Sequence, residues 1–198
     1  MWALLLGLLA SQVAQGRLRA FDQDLAQTVA PWRSSAWDMP VRAAAFFGSS
    51  AWTVLALVAL AALAWRQGRR PAAWILVGAC AFGLGLEIVL RLWVAQWRPD
   101  TLVVPAESLI ERFHAAGFPS GHAFRSTFLL GWIITELQAR RDWWIRAAQA
   151  GCVAIIIMVG ISRLYLSRHW ASDVLGGWLV ALLALSVAAS WERAFEKR

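Results

Sequence analysis

Residues 72–93 read AAWILVGACAFGLGLEIVLRLW, an apolar run whose only charged side chains, Glu87 and Arg91, stand one helical turn apart near its end. At ~1.5 Å per residue such a helix reaches ~33 Å, enough to cross a ~30 Å hydrocarbon core. Lipid offers the backbone no hydrogen bonds, so a run of this kind spans only as a helix that satisfies its own amides. Comparable runs lie at about 49–65, 121–138, 144–161 and 172–190, and a shorter one at 2–15. Together they predict an all-α integral membrane bundle of about six transmembrane helices. Residues 1–198 are used up by one domain of that kind, with its core over 72–190.

The weaker segments set the limits of this reading. Residues 2–15 (WALLLGLLASQVAQ) reach only ~21 Å as a helix. A signal peptide is the rival, but no Lys or Arg precedes the run and the small-residue cleavage pattern is poor, which favours a short first span. Residues 16–47 hold Arg17, Arg19, Asp22, Asp24, Arg33, Asp38, Pro31 and Pro40. They cannot cross as one helix and read as an interfacial segment. Residues 94–120 read as a long polar loop.

Composition agrees with a membrane location. Of 198 residues, 60% are hydrophobic and 16% charged, and the mean hydropathy of +0.54 is too high for an ordinary soluble domain. A net charge of +7 would suggest nucleic acid in a soluble protein. Here most Arg residues sit at the ends of apolar runs, where orientation and anionic headgroups account for them, so no nucleic-acid partner is expected. Cys80 and Cys152 each lie inside an apolar run and imply neither a disulfide nor a metal site. Several of the fourteen Trp, including Trp32, Trp37, Trp65, Trp93, Trp97, Trp143, Trp144, Trp170 and Trp191, flank the runs as interfacial anchors do.

Alternating sides puts the loops after spans one, three and five on one face. The other face carries Arg66, Arg69, Arg70, Arg140, Arg141, Arg146, Arg193, Lys197 and Arg198 in dense clusters, as cytoplasmic segments do, which makes the first face external. Three blocks fall on that external face: RLWVAQWRP at 91–99, PSGH at 119–122 and SRLYLSRHWASD at 162–173.

The residue types in these blocks suit an anionic ligand. Arg91, Arg98 and Arg163 supply permanently charged planar forks that match phosphate oxygens in pairs. Arg91 also reads as a snorkelling Arg at a span end, or as a partner of Glu87, which is costly in a membrane unless paired, and pairing is compatible with phosphate binding. Pro119 breaks the incoming loop, Gly121 allows close backbone approach, and Ser120 adds a hydroxyl beside the first N–H groups of the next helix. A plain helix start is the alternative for Pro and Ser. His122, at the membrane boundary, suits general acid catalysis. His169 and Asp173, four apart, share a helix face, so Asp173 can orient the ring as an activating carboxylate, or alternatively cap the helix.

In order and spacing the blocks resemble the motifs of the type 2 phosphatidic acid phosphatase superfamily, KxxxxxxRP, PSGH and SRxxxxxHxxxD. Every specified position is met except the first, where Arg91 replaces Lys. The resemblance covers residues 91–173 and implies a membrane lipid phosphatase in the cytoplasmic membrane of a bacterium. It implies that His169 forms a phosphohistidine, that His122 protonates the leaving oxygen, and that Arg91, Arg98, Ser120, Gly121 and Arg163 bind phosphate. The expected enzyme is metal-independent and needs no cofactor. Polyprenyl diphosphate, phosphatidylglycerol phosphate and phosphatidic acid all fit as substrates, and transfer to another lipid acceptor would use the same intermediate.

Outside the motifs, His114 reads as a loop residue, Arg112 and Arg168 as headgroup-facing, and Tyr165 as interfacial. Arg125 stands one turn after His122 on an apolar span, so it is either paired, functional or snorkelling, and it is the candidate ligand of a second phosphate. The rival from another class is a transporter whose intramembrane Arg, His and Asp form an ion path. That reading expects charge near the bilayer midplane of broken spans, whereas these residues gather at span ends.

Overall fold

Each apolar run forms a helix in the computed structural model, which describes residues 1–101, 109–138 and 142–196. The helices are α1 (Trp2–Ala14), α2 (Arg19–Val29), α3 (Ser35–Phe46), α4 (Ser50–Arg66), α5 (Arg70–Val94), α6 (Leu109–Ala115), α7 (Gly121–Leu137), α8 (Trp143–Tyr165) and α9 (Ala171–Glu196). Short 3-10 turns stand at Ala30–Trp32 and Pro99–Thr101. No strand occurs among the described residues, and a lone bridge pairs Trp97 with Ala116.

Length and composition qualify three of these helices to cross a membrane, α5, α8 and α9. A fourth arises if α3 and α4, bent by 41° at their junction, count as one broken span. That supports up to four of the six expected spans. The other two would be α1, with 13 residues, and α7, with 17, which reach ~20 Å and ~26 Å. The segment expected to lie in the interface folds as α2, a turn and α3. Pro31 falls in the turn, but Pro40 lies inside α3 and does not end it. The expected loop at 94–120 also contains helix, namely α6 and a 3-10 turn.

The core forms where α1, α5, α7 and α9 meet. Ala10, Ala79, Ala181 and Ala184 are completely buried there beside Phe124, Phe128 and Val180. Small residues let the backbones approach closely, which is how helices associate where lipid removes the hydrophobic drive. The outward faces carry exposed Leu8, Val54, Leu55, Val58, Trp74, Val89 and Ile157, an apolar belt that hydrocarbon would cover.

Several of the expected anchors are exposed at helix ends, among them Trp32, Trp37, Trp93 and Trp143. Trp170 differs, because its indole Nε1 donates to the Trp97 carbonyl at 2.7 Å and ties the start of α9 to the segment after α5. Tyr165 is buried within the protein: its hydroxyl accepts the Ser34 N–H at 2.9 Å and lies 3.1 Å from Asp38 Oδ1, pinning α3 to α8. At the far end, Arg69 grips Glu136 with both guanidinium branches, at 2.5 and 2.9 Å. Of the expected basic clusters, Arg140, Arg141, Lys197 and Arg198 lie outside the described residues, as does the side chain of Arg112.

Candidate active site

Antiparallel packing brings the ends of α5 and α8 together with the starts of α7 and α9. Between them lies a cavity of about 500 Å³, lined by Arg91, Arg98, Gly121, His122, Arg125, Arg163, Arg168 and His169, with Leu84, Glu87, Ile88 and Phe113. All three sequence blocks therefore reach one site, although they are separated by tens of residues along the chain. Among the described residues that line it, five guanidinium groups face the single Glu87 carboxylate. Such a field suits a multiply charged anion.

Each charged side chain has a fixed place. Arg91, 7% exposed, donates from Nη2 to Glu87 Oε1 at 2.7 Å and to the Pro119 carbonyl at 3.3 Å, and its guanidinium lies 5.2 Å from the Phe113 ring centre. Arg125 donates from Nε to the Gly48 carbonyl at 3.1 Å and brings Nη1 to 3.8 Å from Glu87 Oε2. It is thus paired within the protein rather than reaching for the surface. Glu87 sits between the two cations, which answers the cost of its burial. Arg163 is 5% exposed and donates to the neighbouring Ser162 hydroxyl at 3.1 Å. Arg168 reaches Asp100 Oδ2 at 2.7 Å on the cavity rim, a partner and a place that its sequence context did not announce.

One predicted residue, Ser120, stands behind the wall, and its neighbour Gly121 lines it. Ser120 is fully buried, does not line the cavity, and accepts the Ala123 N–H at the start of α7, the helix-start alternative. Its own N–H bonds the Asp173 carbonyl at 2.9 Å. Gly121 does face the cavity, and a Cβ there would lie 2.5 Å from Glu87 Oε1 and 2.9 Å from Arg125 Nη1. A side chain at that position would push the Glu87 and Arg125 head groups aside, so glycine leaves that ion pair undisturbed beside the start of α7.

His169 projects from the turn between α8 and α9, and its Nδ1 lies 3.2 Å from Asp173 Oδ2. Asp173 also accepts the Trp170 N–H at 3.0 Å on the same oxygen and Gln96 Nε2 at 3.0 Å on the other. It therefore contacts the ring and the Trp170 N–H at the start of α9 at once, so the geometry is compatible with both readings of its sequence position. Burial pushes the His169 pKa well below its ordinary 6.5, and the Arg98, Arg91 and Arg163 charges push the same way. The ring is neutral at neutral pH, with Nδ1 toward Asp173 and Nε2 left free.

Comparison with known proteins places the chain. The PAP2 superfamily model matches residues 72–197. Phosphatidylglycerophosphatase B of Bacillus subtilis is 29% identical over 117 residues, 57% of this chain and 54% of that protein. An undecaprenyl-diphosphatase of Sulfolobus acidocaldarius is 30% identical over 106 residues, 53% of this chain and 48% of the other. The chain spans about half the length of these curated relatives. The crystal structure of a transmembrane PAP2-type phosphatidylglycerolphosphate phosphatase from Bacillus subtilis superposes with a TM-score of 0.81 over 98% of this chain and 94% of that one, at 21% identity, which establishes the fold. With the matched region covering well over half of its length, the chain is an integral membrane protein of the PAP2 superfamily.

Proposed function

We propose that the protein is a metal-independent phosphatase of lipid phosphates that works through a phosphohistidine on His169. The observation that carries this reading is the neutral, Asp173-oriented imidazole at the wall of a cavity lined by five Arg. In the first step His169 Nε2 bonds to phosphorus, the bond from phosphorus to the leaving oxygen breaks, and His122 delivers the proton that oxygen needs. In the second, water attacks the same phosphorus, the P–N bond breaks, and the water proton returns to His122. Arg91, Arg98 and Arg163, with the backbone at Gly121, bind the phosphoryl oxygens as negative charge builds on them. Ser120 shapes that backbone by capping α7. The ligand set is cationic, and the carboxylate found in the wall among the described residues, Glu87, is already bonded to Arg91, so the chemistry calls for neither a metal nor another cofactor.

Leu84 and Ile88 continue the cavity wall along α5, and Ile88 is exposed on the bundle surface. A lipid tail would lie along that side while its headgroup enters the cationic cavity. The names of the two relatives point to phosphatidylglycerol phosphate and an isoprenoid diphosphate, which share a phosphate at headgroup depth. Five guanidinium groups exceed what one phosphoryl group needs, so we assign a second phosphate to Arg125 and favour a polyprenyl diphosphate over phosphatidic acid and phosphatidylglycerol phosphate. The site opens on the external face of the cytoplasmic membrane. The decisive measurement is phosphate release by the purified protein in detergent from a panel of these three lipids, with EDTA present. Release that persists with chelator is expected. Release only after a divalent ion is restored would overturn the metal-free mechanism, and none from any lipid would overturn the phosphatase reading.

A further inference from the structure

A second polar network stands behind His169, and it recruits a residue from outside the region that matches the family. Asp22 of α2 is only 3% exposed. Its Oδ1 accepts the Ser172 N–H at 2.9 Å and its Oδ2 accepts the Ser172 hydroxyl at 2.5 Å. With that proton committed, Ser172 Oγ receives Gln96 Nε2 at 3.1 Å, and the same amide nitrogen reaches Asp173 Oδ1 at 3.0 Å. Asp173 in turn holds His169. None of Asp22, Gln96 and Ser172 lines the cationic cavity.

We propose that Asp22 is a positioning residue for the His169–Asp173 pair. By taking the Ser172 proton it turns the Gln96 amide onto the Asp173 carboxylate and so fixes the imidazole. This rests on His169 being the nucleophile. The direction of each bond makes the argument. An ionised carboxylate only accepts, and it takes both Ser172 donors at once. Burial raises the Asp22 pKa above its ordinary 3.8, the Ser172 donors oppose that shift, and nearby Asp173 adds to it. A cap on α9 alone would need only one acceptor atom. An amide in place of Asp22 would present N–H to one Ser172 donor, forcing the hydroxyl proton toward Gln96, where two donors would then face each other. Asp22→Asn therefore keeps volume while breaking the relay.

The test uses the full chain in detergent with whichever lipid phosphate the wild type hydrolyses fastest, comparing Asp22→Asn, Ser172→Ala and the double variant. Misplacing a catalytic group by a fraction of its bond length lowers turnover, here on the order of tenfold to a hundredfold in kcat, and KM should stay where it is because no cavity-lining group changes. The double variant should be no slower than the slower single, since both cut one chain of bonds. Wild-type kcat in Asp22→Asn, a matching rise in KM, or losses that multiply in the double variant would each overturn the inference. Should Asp22→Asn fail to fold, Ser172→Ala decides alone, because it keeps the backbone N–H to Asp22 and loses only the hydroxyl: wild-type kcat there overturns the relay, and a kcat-only loss supports it. A wild type inactive on every lipid phosphate removes the reading beneath this one, whereas an active wild type beside a fully active Asp22→Asn removes the relay only.

Discussion

Asp173 lies one helical turn beyond His169 and takes its Nδ1 at 3.2 Å, which leaves Nε2 as the only ring nitrogen for the cavity. If His169 is the covalent carrier, little else can replace it, because the other polar side chains lining the cavity among the described residues are guanidinium ions, the Glu87 carboxylate bonded to Arg91, and His122. His169→Ala should lower turnover on the order of 10⁴–10⁶-fold while the far-ultraviolet circular dichroism stays that of the wild type. Turnover within tenfold of the wild type would remove His169 as nucleophile.

The same ring sets the acid side of the pH profile. Its pKa is lowered from 6.5, and a protonated imidazole has no lone pair to attack with, so activity is lost as pH falls through the lowered value. The plateau of kcat/KM should therefore extend below pH 6.5. A profile that already falls on descending toward 6.5 would show that the ring is not held neutral by burial and the surrounding Arg charges.

Arg125 is expected to separate substrates. If it meets a second phosphate, Arg125→Ala removes a charge-assisted hydrogen bond worth about 1.5–3 kcal/mol, or about ten- to a hundredfold in kcat/KM, on a lipid diphosphate and little on a monophosphate with the same tail. Equal losses on both would reduce it to a partner of Glu87 and Gly48.

Sidedness can be read by labelling. In a background lacking Cys80 and Cys152, a cysteine replacing exposed Gln23 of α2, on the site face, should react with a membrane-impermeant reagent in intact cells. One replacing exposed Gln67, beyond α4, should not. The reverse pattern would put the site in the cytoplasm.

Local pattern revealed much of this fold and less of the site's support. Helix positions followed from uninterrupted apolar runs, because lipid enforces that code over a whole turn or more. The convergence of the three blocks followed from counting sides. Asp22 was invisible for the opposite reason: a carboxylate among Arg17, Arg19 and Asp24 reads as solvated, and its partner Ser172 is 150 residues away. Gln96 occupies an unspecified place between Arg91 and Arg98, where periodicity says nothing about an amide. Arg168 looked like one more basic residue near headgroups until Asp100 folded back to meet it. Of the two prolines in 16–47, the break falls at Pro31, while Pro40 sits inside α3.

The grip of Arg69 on Glu136 lies far from all this chemistry, yet it bears on it. Arg69 begins α5 and Glu136 ends α7, while at the opposite end Arg91 reaches Pro119, just before α7 starts. The two helices are thus fastened at both ends, ~33 Å apart along α5. An exposed ion pair adds at most about 1 kcal/mol to stability, but a double fastening does something that stability does not measure: it sets the longitudinal phase of one helix against the other. A slip of a single residue, ~1.5 Å, would pull Arg91 away from the Pro119 carbonyl with every helix still intact.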